Sequence, residues 1–323
     1  MPPTEKWPAG RPRRRRAVVA VFASLAEIVD PGQRRWLERA RVETGARGRE
    51  WLPRILEALG RPAATGGLAA LRYFEQTGEL PGRWAAAADP VWLQAEMNGL
   101  YLHALPPDLR SPEDVHAAFE ELNAQLGTAG AGARFVAVDR VGYLLADEPL
   151  PVAALSPELA QGAAPERWLE RPGASPDYHR LLAEVQMCLH DAAVNRRRAA
   201  AGAPPVNALW LWGGGYAPEA APGALPALFS DDPVLRGYWR SASARAEAWP
   251  GGLAECLAAG HEAFVALAPP GDPHELLEPL CAATARGALA DLTLLFADGA
   301  RAELRRGDRW RFWRRPAGLP PAS

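Results

Sequence analysis

The residues whose types and spacing could do chemistry are gathered between Ala192 and Gly215: Asn195, Arg196, Arg197, Arg198 and Asn207, then Gly213, Gly214 and Gly215. An asparagine amide offers two donors and an acceptor, and a guanidinium can hold a carboxylate or phosphate through two parallel N–H bonds. Glycines that close a buried strand let backbone N–H groups approach an anion. The stretch therefore reads as a candidate seat for a small phosphorylated or carboxylated metabolite, with Asn195, Arg198, Asn207, Gly213, Gly214 and Gly215 as the candidate ligand residues. Plain structural uses stand beside that reading. Cations are favoured late in a helix, a buried amide must be satisfied by something, and three glycines allow a sharp turn beside Trp210 and Trp212. Tyr216-Ala-Pro-Glu-Ala-Ala-Pro follows the glycines and cannot begin a helix directly, so a dinucleotide site or a P-loop is not expected.

These residues need elements to position them. Tyr178, Leu181, Leu182, Val185, Leu189 and Ala192 recur at helical spacing, which predicts one long helix with Asn195 late in it and Gly202 and Pro204 as its stop. Val206–Trp212 reads as a buried strand. Upstream, Ala17–Phe22 is a continuous apolar run of the kind buried on both faces of a parallel sheet. Two short helices are expected around Trp36 and Trp51, the second stopped by Gly60, and an irregular stretch from Gly78 to Pro90 with Trp84 as its anchor. Gly99–His103 reads as a strand. A helix begins at Pro112 with Ser111 as its N-cap and Glu113 and Asp114 in its first turn. Arg134–Val138 and Val141–Leu145 form a hairpin around Asp139-Arg140. Later come a helix opened by Asp232-Pro233 and running to about Ala246, a strand at Ala263–Leu267 and a helix at His274–Arg286. A closing meander is read at Asp291–Phe296, Arg301–Arg305 and Arg309–Trp313, its first turn marked by Asp298-Gly299. The class is α/β: a mostly parallel sheet flanked by helices, with an antiparallel C-terminal meander. The expected division is a basic tail over 1–16, an α/β portion over 17–150, a Pro/Gly/Ala-rich linker or crossing loop over 151–176, and a C-terminal portion over 177–323.

Composition limits the partners. The 323 residues are 48% apolar and 23% charged, enough to bury a full core, and the net charge of −2 supplies no global field for nucleic acid or a membrane surface. Cys188, Cys256 and Cys281 are odd in number and far apart, which fits reduced thiols in the cytoplasm rather than a disulfide framework or zinc site. Arg11–Arg16 precedes an apolar stretch, but Glu27 and Asp30 follow with no small-residue cleavage site, so the segment reads as a solvated tail before a strand. The aromatic-basic end, with Trp310, Phe312 and Trp313 among Arg311, Arg314 and Arg315, offers either an arginine-protected sheet edge or a surface for a protein partner.

Catalytic signatures are missing. There is no G-x-S-x-G elbow and no glycine loop ending in Lys-Ser/Thr. None of the six histidines pairs with another at three or four residues, as a helical metal site requires. His116 with Glu120, and His274 with Glu278, share helical faces and read as solvated polar surface.

Leu181-Leu-Ala-Glu-Val-Gln-Met187 through Val206-Asn-Ala-Leu-Trp-Leu-Trp-Gly-Gly-Gly215, with Ser230-Asp-Asp-Pro233 and Asp308-Arg-Trp-Arg-Phe-Trp-Arg314, resembles the bacterial RpfE-type regulatory proteins, often labelled phosphoglycerate-mutase-like. Behind that label lies a more distant likeness to archaeal-type cofactor-independent phosphoglycerate mutases, with their pattern His-Pro-Val-Asn-x-x-Arg, Gly-x-x-Pro-Ala-Asn and Arg-Gly-Ala-Gly. Val194, Asn195 and Arg198 match its first part, Gly202, Pro205 and Asn207 its second, and Gly213 and Gly215 its third. Ala192 stands where the histidine would be, and Trp212 where the last arginine would be. The resemblance implies a reduced form of the alkaline-phosphatase-like fold, whose mutases use two metal ions and a phosphorylated serine. Those enzymes carry an Asp at the end of the first strand, where this chain has Phe22-Ala-Ser-Leu25. Without such ligands a serine is not activated. The implied function is a cytoplasmic regulatory protein that needs no cofactor. An active mutase would need a divalent metal held by ligands the sequence does not display, and a protein-interaction scaffold is the third reading.

Overall fold

The apolar run near the start does what its pattern predicts. In the computed structural model, which describes residues 15–45, 49–64, 66–97, 99–126, 132–150, 152–162, 176–219, 223–305 and 319, it forms β1 (Arg15–Val21), buried from Ala17 onward. Its two neighbours are both parallel: β10 (Ala263–Leu267), with Val18 beside Val265, and β11 (Leu289–Phe296), with Val18 beside Thr293. A strand flanked by parallel partners and covered on both faces has no solvent side, which is why the run does not alternate. The sheet extends through β8 (Ala227–Phe229) and β9 (Ala246–Glu247), again parallel. On the other flank lie antiparallel β12 (Ala300–Arg305) and β2 (Arg41–Thr44), giving the seven-stranded order β2-β12-β11-β1-β10-β8-β9. The turn between β11 and β12 is the expected one, with Asp298 Oδ1 accepting from the Ala300 N–H at 3.0 Å.

Helices α1 (Pro31–Leu37), α9 (Leu253–Ala258) and α10 (Pro273–Ala285) belong to the same unit. Leu37, Cys256, Leu277 and Leu280 from them join Val19, Phe264, Leu294 and Phe296 of the strands in one buried cluster. Asp30 and Asp272 cap α1 and α10, each followed by a proline whose missing N–H costs nothing there.

The second unit is built on β3 (Trp84–Glu96), an antiparallel strand that pairs with three others. One edge meets first β6 (Val141–Ala146) and then β4 (Gly99–Ala104); the other meets β7 (Ala208–Gly215). β5 (Arg134–Val138) completes the sheet beyond β6, in the expected hairpin with Asp139 at φ 50°. Around the sheet are α2 (Trp51–Ala58), α3 (Leu68–Thr77), α4 (Pro112–Leu126), α5 (Pro157–Ala160), α6 (Pro176–His190), α7 (Ala193–Ala200) and α8 (Pro233–Ser241). Ser111 caps α4 and Asp232 caps α8, as their sequences predict.

Several expectations are corrected. The stretch Gly78–Pro90 is not irregular: Trp84 opens β3, and Ala85–Ala88 are completely buried. Alanine and proline are poor strand formers in isolation, but here small side chains let the sheet's neighbours close in, and Pro90 falls between the stretches paired to β6 and to β4. Helices α3 and α9 and strands β2, β8 and β9 were not foreseen, and α8 ends at Ser241 rather than near Ala246. The expected long helix is two, broken at Asp191–Ala192, where Ala192 is extended (φ −61°, ψ 142°). The compact units do not follow the serial division at 151–176 either. One comprises residues 1–47, 224–231 and 244–323, the other 48–223 and 232–243. Parallel pairing is the reason: β1 needs strands from the far end of the chain to complete its sheet. Of the tail expected over 1–16, Arg15 and Arg16 are strand instead, drawn into β1 by pairing with β10 and β11, and the rest lies outside the described residues, as do most of the 151–176 loop and the third meander strand with its aromatic-basic residues.

Candidate functional site

The six residues singled out by spacing fall into two places. Asn207 precedes β7, and the glycines end it. At about 3.3 Å per residue the strand separates Asn207 from Gly213 by about 20 Å, so the structure does not bring the two groups to one seat. At the first end the side chains hold backbone. Asn195 Nδ2 donates to the carbonyls of Leu189 and Val206, both at 2.7 Å, and its Oδ1 accepts from Val206 N at 2.9 Å. One amide thus ties the end of α6 to the approach of β7. Asn207 pairs with both backbone groups of Leu93, acting as an added rung between β7 and β3. Arg198 is buried, donating to the carbonyls of Pro204 and Leu109 at 2.8 Å and pairing with Asp114 at 3.2 Å.

The glycines are required by close approach. Gly213 has φ +63° and Gly215 φ +146°, and a Cβ on Gly214 would lie 2.5 Å from the Trp84 ring. Gly214 also accepts from Gly67 N at 3.1 Å, locking β7 to the start of α3.

One turn into α3 sits a group that spacing did not reveal. Arg72 is 6% exposed and Asp89, on β3, is 1% exposed. Arg72 Nη1 donates to Asp89 Oδ2 at 2.8 Å, Nε to the Tyr143 hydroxyl at 3.1 Å and Nη2 to the Gly142 carbonyl at 3.1 Å. Trp212 Nε1 donates to the same Asp89 oxygen at 2.6 Å, and the guanidinium lies 4.8 Å from the Tyr143 ring centre and 5.4 Å from that of Trp212. Trp212, which stands where the mutase pattern has an arginine, therefore serves a buried ion pair. Burial works most strongly against the Arg72 charge, but the Asp89 carboxylate, joined by Tyr143 and Glu158, outweighs it and holds the guanidinium's pKa above its ordinary value. Burial pushes Tyr143 up to about 12. Asp89 Oδ1 has no donor.

Three further carboxyls of this unit are perturbed upward. Glu50 reaches about 8, chiefly through burial and then the charges of Asp232 and Glu158, against the pull of the Ser156 N–H bonded to it. Asp232 is raised by burial, as is Glu158, where the Asp89 charge adds to the effect. Arg110 is 7% exposed, its Nε meets no acceptor, and its charge acts on Glu158. Apart from Asp232, whose sequence marks it as a helix cap, none of these residues lies in a recognisable motif. The only local signal is Asp89-Pro90 inside an alanine run, a charge in a segment otherwise made for burial.

In the other unit, open α/β sheets present ligands at the carboxyl ends of their parallel strands. Here four acids beyond the strand ends bond to backbone, while Glu247 at the end of β9 pairs with Arg245 and His261. Glu27 accepts from Ser24 N at 2.6 Å, Asp231 from Trp249 N at 3.0 Å and Asp272 from His274 N at 2.9 Å. Asp298 accepts from Leu25 N and Ala300 N, both at 3.0 Å. Among the described residues no three His, Cys, Asp or Glu side chains are grouped as a metal ion requires. The described residues do not fit the two-metal centre that the mutase likeness implies. The His116–Glu120 pair is exposed, as expected. No described helix is long and apolar enough to cross a membrane.

No family model matches the chain, and no curated protein matches it. Among solved structures it is similar to a protein of unstated function from Pyrococcus horikoshii, at 13% identity and TM-score 0.47, covering 91% of this chain and 88% of that one. It is also similar to a cofactor-independent phosphoglycerate mutase from Thermoplasma acidophilum, at 15% identity and TM-score 0.40, covering 90% of each.

Proposed function

We propose that this is a mutase-like regulatory protein of the RpfE type, cytoplasmic, that binds a small phosphorylated or carboxylated metabolite and performs no metal-dependent chemistry. The observation that supports the loss of chemistry is the carboxyl edge of the parallel sheet, where Glu27, Asp231, Asp272 and Asp298 are drawn into bonds with backbone N–H groups. A carboxylate so used is a poorer ligand, and a two-metal phosphoryl transfer needs several that are unencumbered. The likeness of Val194–Gly215 to the mutase pattern supports the ligand class. Metal analysis of the purified protein, with a coupled mutase assay in Mn²⁺, tests the reading. The expected result is neither stoichiometric metal nor turnover of 3-phosphoglycerate. Turnover that Asp298→Asn or Asp231→Asn abolishes would overturn it.

A further inference from the structure

Residues 153–162, which carry α5, cross the sheet of the second unit from one outer edge to the other. Ala153 lies on the edge of β7 that β3 does not use: its N–H donates to the Leu211 carbonyl at 2.9 Å, and its carbonyl accepts from Gly213 N at 3.2 Å. At the far end Gly162 N donates to the Leu102 carbonyl at 3.0 Å, and Gln161 Oε1 accepts from Ala104 N at 3.0 Å. Leu102 is paired with Leu93, whose own backbone groups are taken by Asn207, so the Leu102 carbonyl points away from β3. The stretch therefore spans β7, β3 and β4. It does so over the face that carries Trp210, whose Nε1 donates to the Leu155 carbonyl at 2.7 Å. Asp89 stands opposite Trp210 in register and so shares that face. Leu155 and Ala160 are buried, while Glu158 is exposed.

Next to Leu155 the stretch is held by a titratable group. Glu50, which precedes α2, accepts from the Ser156 N–H at 2.5 Å. The charges that bear on its carboxyl are acidic: Asp232, which caps α8, and Glu158 on α5 itself. On Glu50's own element Arg49 is turned to Glu57, and Arg54 lies over the Trp51 ring. Burial, then those like charges, outweighs the Ser156 N–H, so the carboxyl keeps its proton to about pH 8. Its uncharged oxygen still accepts from Ser156.

We propose that residues 153–162 are a pH-operated strap, latched by uncharged Glu50 and released when Glu50 ionises, which uncovers Trp210 and the Asp89 side of the sheet. In the released strap Glu50 faces water as an ordinary carboxyl, so the closed form binds the proton more tightly. Closure is fully supported below the ordinary carboxylate range, weakens as pH rises, and is weakest above about pH 8. The strap stands apart from the metabolite reading and does not depend on it.

Hydrogen-exchange mass spectrometry of the full-length protein from pH 5 to 9, with rates divided by those of the unstructured chain, tests this. Protection over 153–162 should fall by up to tenfold per pH unit and level off above about pH 8. Urea below the unfolding transition should leave that exchange unchanged while speeding exchange in β3, because releasing the strap exposes little surface and unfolding the unit exposes much. Glu50→Gln keeps an acceptor for Ser156 without a charge and should hold the protection constant across the range. Glu158→Gln removes one of the like charges, so the levelling should come at lower pH; it stands in if Glu50→Gln fails to fold. A wild-type strap whose protection does not fall with pH, one that tracks β3 in urea, or an unaltered pH response in the variants would overturn the inference. Neither metal nor turnover enters this measurement, so its outcome is independent of the mutase assay.

Discussion

Removing Asp89 is the sharpest perturbation the structure offers. The carboxylate is 1% exposed and one of its oxygens receives both Arg72 Nη1 and Trp212 Nε1. Asp89→Ala leaves a buried guanidinium with only two neutral acceptors, the Tyr143 hydroxyl and the Gly142 carbonyl, and leaves the indole N–H with none. Breaking a buried pair from one side costs about 3–5 kcal/mol, because the surviving charge stays desolvated. Arg72→Met strands the opposite charge and should cost a similar amount, part of it offset because Trp212 still donates to Asp89. The double variant removes both charges, so its cost should fall below that of either single change. In a unit of about 190 residues, 3–5 kcal/mol corresponds to a melting-temperature loss of about 6–20 °C. Urea unfolding of the four proteins, followed by circular dichroism, gives the coupling energy of the cycle. Single changes costing under about 1 kcal/mol, or a double variant equal to the sum of the singles, would refute the reasoning.

Other expectations follow from the same packing. Glu50 binds its proton more tightly folded than unfolded, with a folded pKa of about 8, so its contribution is intact at low pH and is lost as pH rises from the ordinary carboxylate range through 8. Thermal melts across pH 5–9 should show that decline, by at most about 1.4 kcal/mol per pH unit, and Glu50→Gln should flatten it. Gly237 on α8 lies against α3, where an added Cβ would sit 2.1 Å from the Leu71 carbonyl oxygen; Gly237→Ala should cost about 3 kcal/mol or more in urea unfolding, as other severe overpackings do. Asn195→Ala leaves the Val206 N–H and the carbonyls of Leu189 and Val206 without their partner, a loss of about 2–3 kcal/mol, with hydrogen exchange rising first at Val206.

Much of the fold was legible in residue order. The run Ala17–Phe22 needed only its lack of alternation to be placed in a parallel sheet, and Ser111-Pro112 and Asp232-Pro233 marked helix starts by stereochemistry alone. The failures share one cause. β3 is strung from Ala85–Ala88, Asp89 and Pro90, residues whose local preferences oppose a strand, and only its three partners make it one. The break between α6 and α7 has no glycine or proline at it; it is set by Asn195 bonding across to Val206, a contact invisible to periodicity. The polar residues of Val194–Gly215 were conspicuous because they are close in sequence. The buried ionic group was hidden because Arg72, Asp89, Tyr143 and Trp212 meet only once the sheet has formed.

The interleaving of the two units has a consequence for synthesis. Arg16 on β1 pairs beside Ala263 on β10, so the first strand leaves the ribosome about 250 residues ahead of its partners. All of the other unit, α8 included, emerges in that interval and can close around β3. Throughout, an apolar strand built to be covered on both faces waits unpaired. Nascent chains arrested before residue 263 should expose β1 to protease while β3 is already protected, and a chaperone that shields short apolar strands would find its natural client in Ala17–Val21.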